Sequence, residues 1–323
     1  DLDATLTAGD LTPFVAELAA RFPDNALVAQ LAERASAAPE LFGETRLDIV
    51  SSVAQEDGKA PSSAFSIKGL IGQSKLSATL SGGLDAFAGT SPFSASGEID
   101  NEDSVALLGL IGLPTVPLAD IGKGRIDFDL VGTLASGVKT TISLNGEDFV
   151  FSFGGESQRQ GANIILRGKS SLQAQDIEPW LMTVGWAMPG MGLGTNLSAT
   201  ADIDFGNDLL VISNLTGLAG KADFSGDLNV AFGANVPAIS GALTLDELDL
   251  EQAAGLVFGA PALVSADGVA WPDQPFQTRP VAPFSSDLTL TVDVLEAGPL
   301  PQVNKASFDL QLDGTQLRLA NIS

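Results

Sequence analysis

Asn196-Leu-Ser-Ala-Thr-Ala-Asp-Ile-Asp-Phe205 alternates without a break. Leu197, Ala199, Ala201, Ile203 and Phe205 interleave with Ser198, Thr200, Asp202 and Asp204. Successive side chains of a β-strand point to opposite faces, so this segment has one apolar and one wet face. The pattern recurs. Ile126, Phe128 and Leu130 alternate with Arg125, Asp127 and Asp129; Leu288, Leu290, Val292 and Val294 with Asp287, Thr289, Thr291 and Asp293; Phe308, Leu310 and Leu312 with Asp309, Gln311 and Asp313. Asn145-Gly146, Gly206-Asn207, Gly220 and Asp313-Gly314 read as turns between runs. One-sided alternation of this kind predicts antiparallel sheet.

Short helices interrupt the strands. Leu11, Phe14, Val15, Leu18 and Phe22 stand at helical spacing. A second helix is predicted over 25–41, joined through Pro23, and shorter ones at about 103–112, 176–187 and 249–258.

These helices expose an internal repeat. Leu6-Thr-Ala-Gly-Asp10-Leu-Thr-Pro13-Phe14-Val15 matches Leu172-Gln-Ala-Gln-Asp176-Ile-Glu-Pro179-Trp180-Leu181. Ile99 to Leu108 and Leu245 to Ala254 fit the same frame around Asp103 and Asp249. Gly97, Gly168 and Gly241 precede the last three copies, and Pro23, Pro114, Pro189 and Pro261 follow the helices. The aspartates lie 93, 73 and 73 residues apart. The predicted unit is therefore several strands plus one short helix. Asp10, Asp103, Asp176 and Asp249 sit where strand gives way to helix. There a carboxylate accepts from free N–H groups and favours the positive end of the dipole, so they are read as caps.

Composition excludes much chemistry. The 323 residues hold no His, Cys or Tyr. Ser–His–Asp and Cys–His catalysis, disulfides and structural zinc are thereby absent. A net charge of −24 disfavours nucleic acid and anionic headgroups. Asp127/Asp129, Asp202/Asp204 and Asp246/Asp249 resemble metal or two-carboxylate pairs. Each strand pair shares the wet face, however, and no calcium-loop glycine pattern surrounds them, so they read as solvated. Trp180 and Trp186 are placed with Met182, Met188 and Met191 in one short apolar helix; Trp271 is the remaining Trp. The stretch reads either as a helix packed over the sheet end or as a flap at a lipid entrance, formed by Trp180, Met182, Trp186 and Met188. The basic residues appear scattered, with Lys123, Arg125 and Lys221 at strand starts. No apolar run reaches the ~18–20 residues of a membrane span. The chain starts and ends in strand patterns and is read as a segment of a longer protein, any anchor lying outside it.

The repeated module of strand, Gly-x-apolar-x-apolar, Asp-capped short helix, Pro and alternating strands resembles the AsmA family of bacterial envelope proteins, TamB-like relatives included. Ile239-Ser-Gly241-Ala-Leu243-Thr-Leu245-Asp-Glu-Leu248-Asp249-Leu250 is the most family-like stretch. The resemblance covers essentially the whole chain, is periodic and compositional, and contains no catalytic motif. It implies a periplasmic location in a Gram-negative bacterium, tethered to the inner membrane by a segment not present here. It also implies an apolar groove carrying phospholipid or other acyl lipid between membranes, with other envelope proteins as partners and no cofactor.

The expected fold is mostly β: an elongated, curled antiparallel sheet forming a repeating groove, with short helices between units. The units are placed at 1–95 (with the extra helix), 96–167, 168–240 and 241–323, within one continuous domain. The expected groove lining is Ile126, Phe128, Leu130, Leu197, Ala199, Ile203, Phe205, Leu288, Leu290, Val292, Phe308, Leu310 and Leu312. No residue is assigned to catalysis or to a metal. Two readings stay open: the groove solvates acyl chains, or its own helices fill it and the acidic exterior docks a protein.

Overall fold

In the computed structural model the described residues are 2–21, 23, 26–54, 62–83, 91–111, 113, 115–116, 120–133, 135–160, 163–232, 236–258, 284–296, 298, 301–313 and 316–323. Phe22, Asn25, Pro114, Pro261, Trp271 and Gly314, all invoked above, lie outside them. The fold is mostly β, with 61 % of residues in strands. The first strand, β1 (Leu2–Ala8), leads into α1 (Thr12–Arg21), α2 (Ala26–Ala37) and a 3-10 turn at Pro39–Phe42. Then come β2 (Thr45–Ala54), β3 (Ser62–Ile71), β4 (Ser74–Gly83) and β5 (Phe93–Asn101), followed by α3 (Ser104–Leu110). The next group is β6 (Gly124–Thr133), β7 (Gly137–Gly146), β8 (Phe149–Gln160) and β9 (Asn163–Ala174), followed by α4 (Glu178–Thr183). After it come β10 (Leu197–Gly206), β11 (Leu209–Ala219), β12 (Ala222–Ala231) and β13 (Ala238–Asp249), then α5 (Leu250–Phe258). The chain closes with β14 (Ser285–Glu296), β15 (Val303–Asp313) and β16 (Gln316–Ala320). The 73-residue spacing is thus four strands and a helix, with β1, β5, β9 and β13 each handing over to the helical segment.

All sixteen strands belong to one open sheet, in sequence order. Contact density divides the chain into two compact units, Asp1–Gly168 and Lys169–Ser323. The antiparallel expectation holds for every strand pair whose register is described, except one. β13 and β14 pair in parallel, Ala238 opposite Ser285 through Asp249 opposite Glu296. Parallel neighbours need a crossover rather than a hairpin, and α5 begins that connection.

Three local expectations shift. The second helix divides at Ala38, because Pro39 has no N–H to continue it, and a 3-10 turn follows. Asn145-Gly146 is the end of β7 rather than a turn, with Gly146 opposite Gly124 and Asn145 opposite Val150. The Asn145 amide donates to Asp127 Oδ2 at 3.3 Å, holding the residue against β6. The β10–β11 turn falls one residue later than Gly206-Asn207: Asn207 and Asp208 take φ of +53° and +58°, as a two-residue primed turn requires.

Two of the repeat glycines show why the module needs them. A Cβ on Gly97 would stand 2.6 Å from the Ser77 carbonyl oxygen and 2.8 Å from the ring of Phe128, its partner across the ladder. Gly241 has φ +144°, and a Cβ there would meet the Asp227 carbonyl oxygen at 2.1 Å. Gly241→Ala is therefore expected to lower the unfolding free energy measured in urea by about 1–3 kcal/mol. Gly9 has open space around its Cα, and Gly9→Ala is expected to stay within about 0.5 kcal/mol of the parent.

Candidate functional site

The strand register aligns apolar positions into rows across each unit. In the first unit one row runs Ala4, Ile49, Ile67, Ala78, Gly97, Phe128, Ile142 and Phe153, from β1 to β8. Its neighbour runs Leu6, Leu47, Gly69, Leu76, Ile99, Ile126, Leu144 and Phe151. Neither contains a polar side chain. The opposite face carries Thr5, Asp48, Lys68, Ser77, Glu98, Asp127 and Ser143 in register. The few apolar residues on that face, such as Val50, Val131 and Val150, are exposed.

The second unit repeats the arrangement. Ile203 stands opposite Ile212, and the row continues through Leu228, Gly241, Leu288 and Leu310. Phe205, Leu210, Val230, Ile239, Ser286 and Leu312 form the next, interrupted only by Ser286. A bulge at Asn214 keeps these rows on the same face as Ala199. This residue takes φ +51° and adds one residue to β11. The outer face holds the bulge. Asn214 donates its N–H to Asp227 Oδ1 at 2.9 Å and its amide to Asp202 Oδ2 at 2.7 Å, while Lys169 Nζ lies 2.6 Å from Asp202 Oδ1. The Lys169 ammonium, then the Asn214 amide, hold the Asp202 carboxyl below the usual carboxylate range.

The expected lining residues share one face within each unit but differ in accessibility. Phe128, Leu130, Leu197, Ala199, Ile203, Phe205, Leu288 and Leu310 are half-buried. Ile126, Leu290, Val292, Phe308 and Leu312 are buried, Val292 at 0 % and Phe308 at 2 % exposure. Leu290, Val292 and Phe308 belong to a core with Leu295 and Ala306, to which Leu243, Leu245, Leu248 and Leu250 add. The face over β13–β15 is thus closed upon itself and leaves a ligand little to touch.

The helices pack at strand ends. Leu11, Val15, Ala35 and Phe42 form a core against Leu6, Ala8, Ile71 and Leu110, leaving Phe14 exposed. Each repeated aspartate accepts at a helix start: from Thr12 N–H to Asp10 (2.7 Å), Val105 N–H to Asp103 (2.8 Å), Glu178 N–H to Asp176 (3.0 Å) and Glu251 N–H to Asp249 (2.8 Å). Asp103 and Asp249 occupy the cap position as expected, whereas Asp10 and Asp176 stand one residue before it, because α1 begins at Thr12 and Ile177 is the cap residue of α4. The Thr12 N–H, then its hydroxyl, hold Asp10 below the usual carboxylate range.

Trp180 is buried in α4, which stops at Thr183 instead of running on to about 187, so Trp186, Met188 and Met191 lie beyond the helix; Met182, Trp186 and Met188 are half-buried. The segment after α4 is tied to a carboxylate that the sequence reading passed over. Glu178, 3 % exposed, accepts from the N–H groups of Gly192 and Gly194 (the latter at 3.4 Å) and from the Thr195 hydroxyl at 2.8 Å. Its only sequence signal was a carboxylate at the first helical position, ahead of Pro179, where exposed acids are also common.

The polar face carries two depressions. One in the second unit, about 630 Å³, is lined by Ser198, Thr200, Thr216, Ser225, Thr244, Asp223, Asp246 and Asp293, among others. The other, about 230 Å³ in the first unit, brings Lys75, Lys123 and Arg125 together with Asp100, Glu102 and Glu147. The scattered basic residues thus do converge here, because β4, β5 and β6 are adjacent. Carboxylates meet them: Arg125 pairs with Glu98, with Asp127 at 2.9 Å and with Asp100 at 3.8 Å. Among the described residues no group of three or more Asp or Glu could hold a metal ion, and no helix is long and apolar enough to cross a membrane. Comparison with protein-family models, curated proteins and solved structures finds no match.

A carboxylate held down in the folded state adds stability above its ordinary pKa, 3.8 for Asp202, and loses that stability as the pH falls through the lower folded value. Asp202→Asn should therefore lower the melting temperature at pH 7, and the gap from the parent should close as the solution is acidified below about pH 4. Separately, Glu178→Ala removes the shared acceptor of the Gly192 and Gly194 N–H groups and the Thr195 hydroxyl. It should cost about 2–3 kcal/mol and speed amide hydrogen exchange selectively over 184–196.

Proposed function

We propose that this chain is a periplasmic segment of an AsmA-like envelope protein, and that its apolar sheet face binds the acyl chains of phospholipid moving between the inner and outer membranes. The observation that carries this reading is the pair of uncharged rows across eight strands, with the middle of the face left half-buried rather than covered by a second layer. An acyl chain asks little of its site: a dry, continuous lining free of charge. The dimensions suit it. Eight strands spaced about 4.8 Å apart span roughly 34 Å, against the ~15 Å that one leaflet's chains occupy in a bilayer core of ~30 Å.

Several further features support the reading. The first helices pack on Leu6, Ala8 and Ile71 at the strand ends, while Ile49, Ile67, Ala78, Phe128 and Ile142 of the neighbouring row stay half-buried. Among the described residues, Asp10, Asp202 and Asp127 are engaged structurally, at a helix start, in bracing Asn214 and in meeting Arg125. Conduction along a surface needs no reacting group, and the protein acts without catalysis. Its anchor and its envelope partners belong to segments outside this chain.

One observation favours the second reading, a structural module that docks a protein on its acidic exterior. Over β13–β15 the apolar face is already satisfied by its own leucines, with Val292 and Phe308 sealed. The two readings separate on purification from a bacterial periplasm without detergent, followed by lipid extraction and mass spectrometry. Stoichiometric phospholipid is expected. Phe128→Asp and Ile203→Asp, on half-buried positions, should abolish it while lowering stability by about 1–3 kcal/mol. Val150→Asp, on the polar face, should leave it intact. A lipid-free, stable chain would establish the structural module instead.

A further inference from the structure

The segment after α4 is uncharged and carries an exposed apolar tip. The chain carries 40 acidic and 16 basic residues, yet none lies between Pro179 and Ala201. Within that stretch Met188-Pro-Gly-Met-Gly-Leu-Gly194 is irregular, with Gly192 and Gly194 at φ +115° and +80°. Leu193 is 83 % exposed, the highest value among the exposed large apolar side chains described. Met188 and Met191 stand beside it, half-buried.

The base of this loop is held from several sides. Glu178 takes the N–H groups of Gly192 and Gly194, Ile177 donates to the Thr195 carbonyl at 2.8 Å, and Gly190 donates to the Leu256 carbonyl of α5 at 2.9 Å. Trp186 packs against Phe284 with ring centroids 5.6 Å apart. Leu193 is thus presented to solvent on a braced frame, at a solvation penalty that nothing in the folded unit offsets.

We propose that the 188–194 loop is a membrane-surface contact that inserts Leu193, flanked by Met188 and Met191, into the interfacial layer of an electrically neutral, zwitterionic bilayer. Two arguments select this occupant. The first is area. A stable protein contact needs about 800 Å² on each side, and a loop whose alternate residues are glycines offers one full leucine. A bilayer demands no complementary shape and accepts a single apolar tip. The second is charge. A chain of net charge −24 is repelled by an anionic leaflet within a Debye length of about 8–10 Å. The uncharged stretch around Leu193 carries the most exposed apolar side chain described in the second unit, and neutral headgroups are the ones it can approach. The first unit has its own version of this chemistry: no charged residue stands from Ser104 to Ala119, and Ile111, Leu113 and Val116 are exposed. The contact goes beyond acyl-chain binding by the sheet face and stands whether or not that face carries lipid.

The test is flotation of the whole chain with phosphatidylcholine vesicles and with vesicles containing phosphatidylglycerol, the fold being followed by circular dichroism. Binding to phosphatidylcholine is expected. Leu193→Asp, at a solvent-exposed position, should keep the fold and lower the partition coefficient about tenfold. Phosphatidylglycerol should weaken binding at low salt, with recovery as salt screens the repulsion. The chain has no cysteine, so Leu193→Cys carrying an environment-sensitive dye reports the tip alone and should shift to the blue on vesicles. Absence of flotation, flotation unchanged by Leu193→Asp, or concentration-dependent self-association that Leu193→Asp abolishes would each overturn the proposal, the last in favour of a second copy of the chain.

Discussion

Each strand of this protein places its apolar residues on one face and its charges on the other, and the ladder register keeps neighbours in phase. A slip of one residue would turn a whole strand over. The glycine-to-phenylalanine pairing of Gly97 with Phe128 and the bulge at Asn214 are two devices that hold this phase. Asn214 shows the constraint most clearly. It adds a residue to β11, and without that extra residue Ile212 and Leu210 would leave the face they share with Ile203 and Phe205. The outer-face acids Asp202 and Asp227 accept its N–H groups, so charge on one side of the sheet keeps the other side apolar.

The same logic accounts for much of the acidity. An excess of carboxylates in a chain without His or Cys invites a search for metal or catalysis. The carboxylates instead serve as local acceptors. Asp103 and Asp249 cap helices, Asp10 and Asp176 accept from the first N–H of theirs, Glu178 ties down a loop, and Glu98, Asp100 and Asp127 surround Arg125. Asp246 and Asp249, adjacent enough in sequence to look like a pair, part company: one lines a polar depression and the other caps α5. The remainder keep a chain of mean hydropathy +0.24 in solution.

Features with a short sequence period were readable in advance. Alternation placed the strands, and the Asp-to-Pro spacing placed the helices and the repeat. Features that depend on residues far apart were not. The parallel pairing of β13 with β14 follows from where the crossover after α5 returns the chain, which no local pattern encodes. The convergence of Lys75, Lys123 and Arg125 needs β4 and β6 on either side of β5. Asn145-Gly146 carries a strong turn signal, yet the Asp127 carboxylate on the adjoining strand holds Asn145 in β7 and moves the turn onward. Within each unit, the face shared by the expected lining residues was legible residue by residue. Which members stay open was not, because burial of Val292 and Phe308 arises from packing among β13, β14, β15 and the start of α5.

An apolar sheet face normally obtains its stability from a second layer. Here the helices cover strand ends and one core closes over β13–β15, while Phe128, Ile142, Ile203 and Phe205 remain half in water. At about 25 cal/mol for each Å², that open area is stabilisation the folded chain does not collect alone. A ligand that covers it supplies the missing layer, and by linkage its binding energy adds to the folded state. A lipid tail fits this role better than a protein segment. It brings no backbone polar groups that the uncharged, ladder-saturated rows would leave unpaired. On the proposed reading, an apolar chain would be held on this sheet by area alone, and so could be released as well as bound.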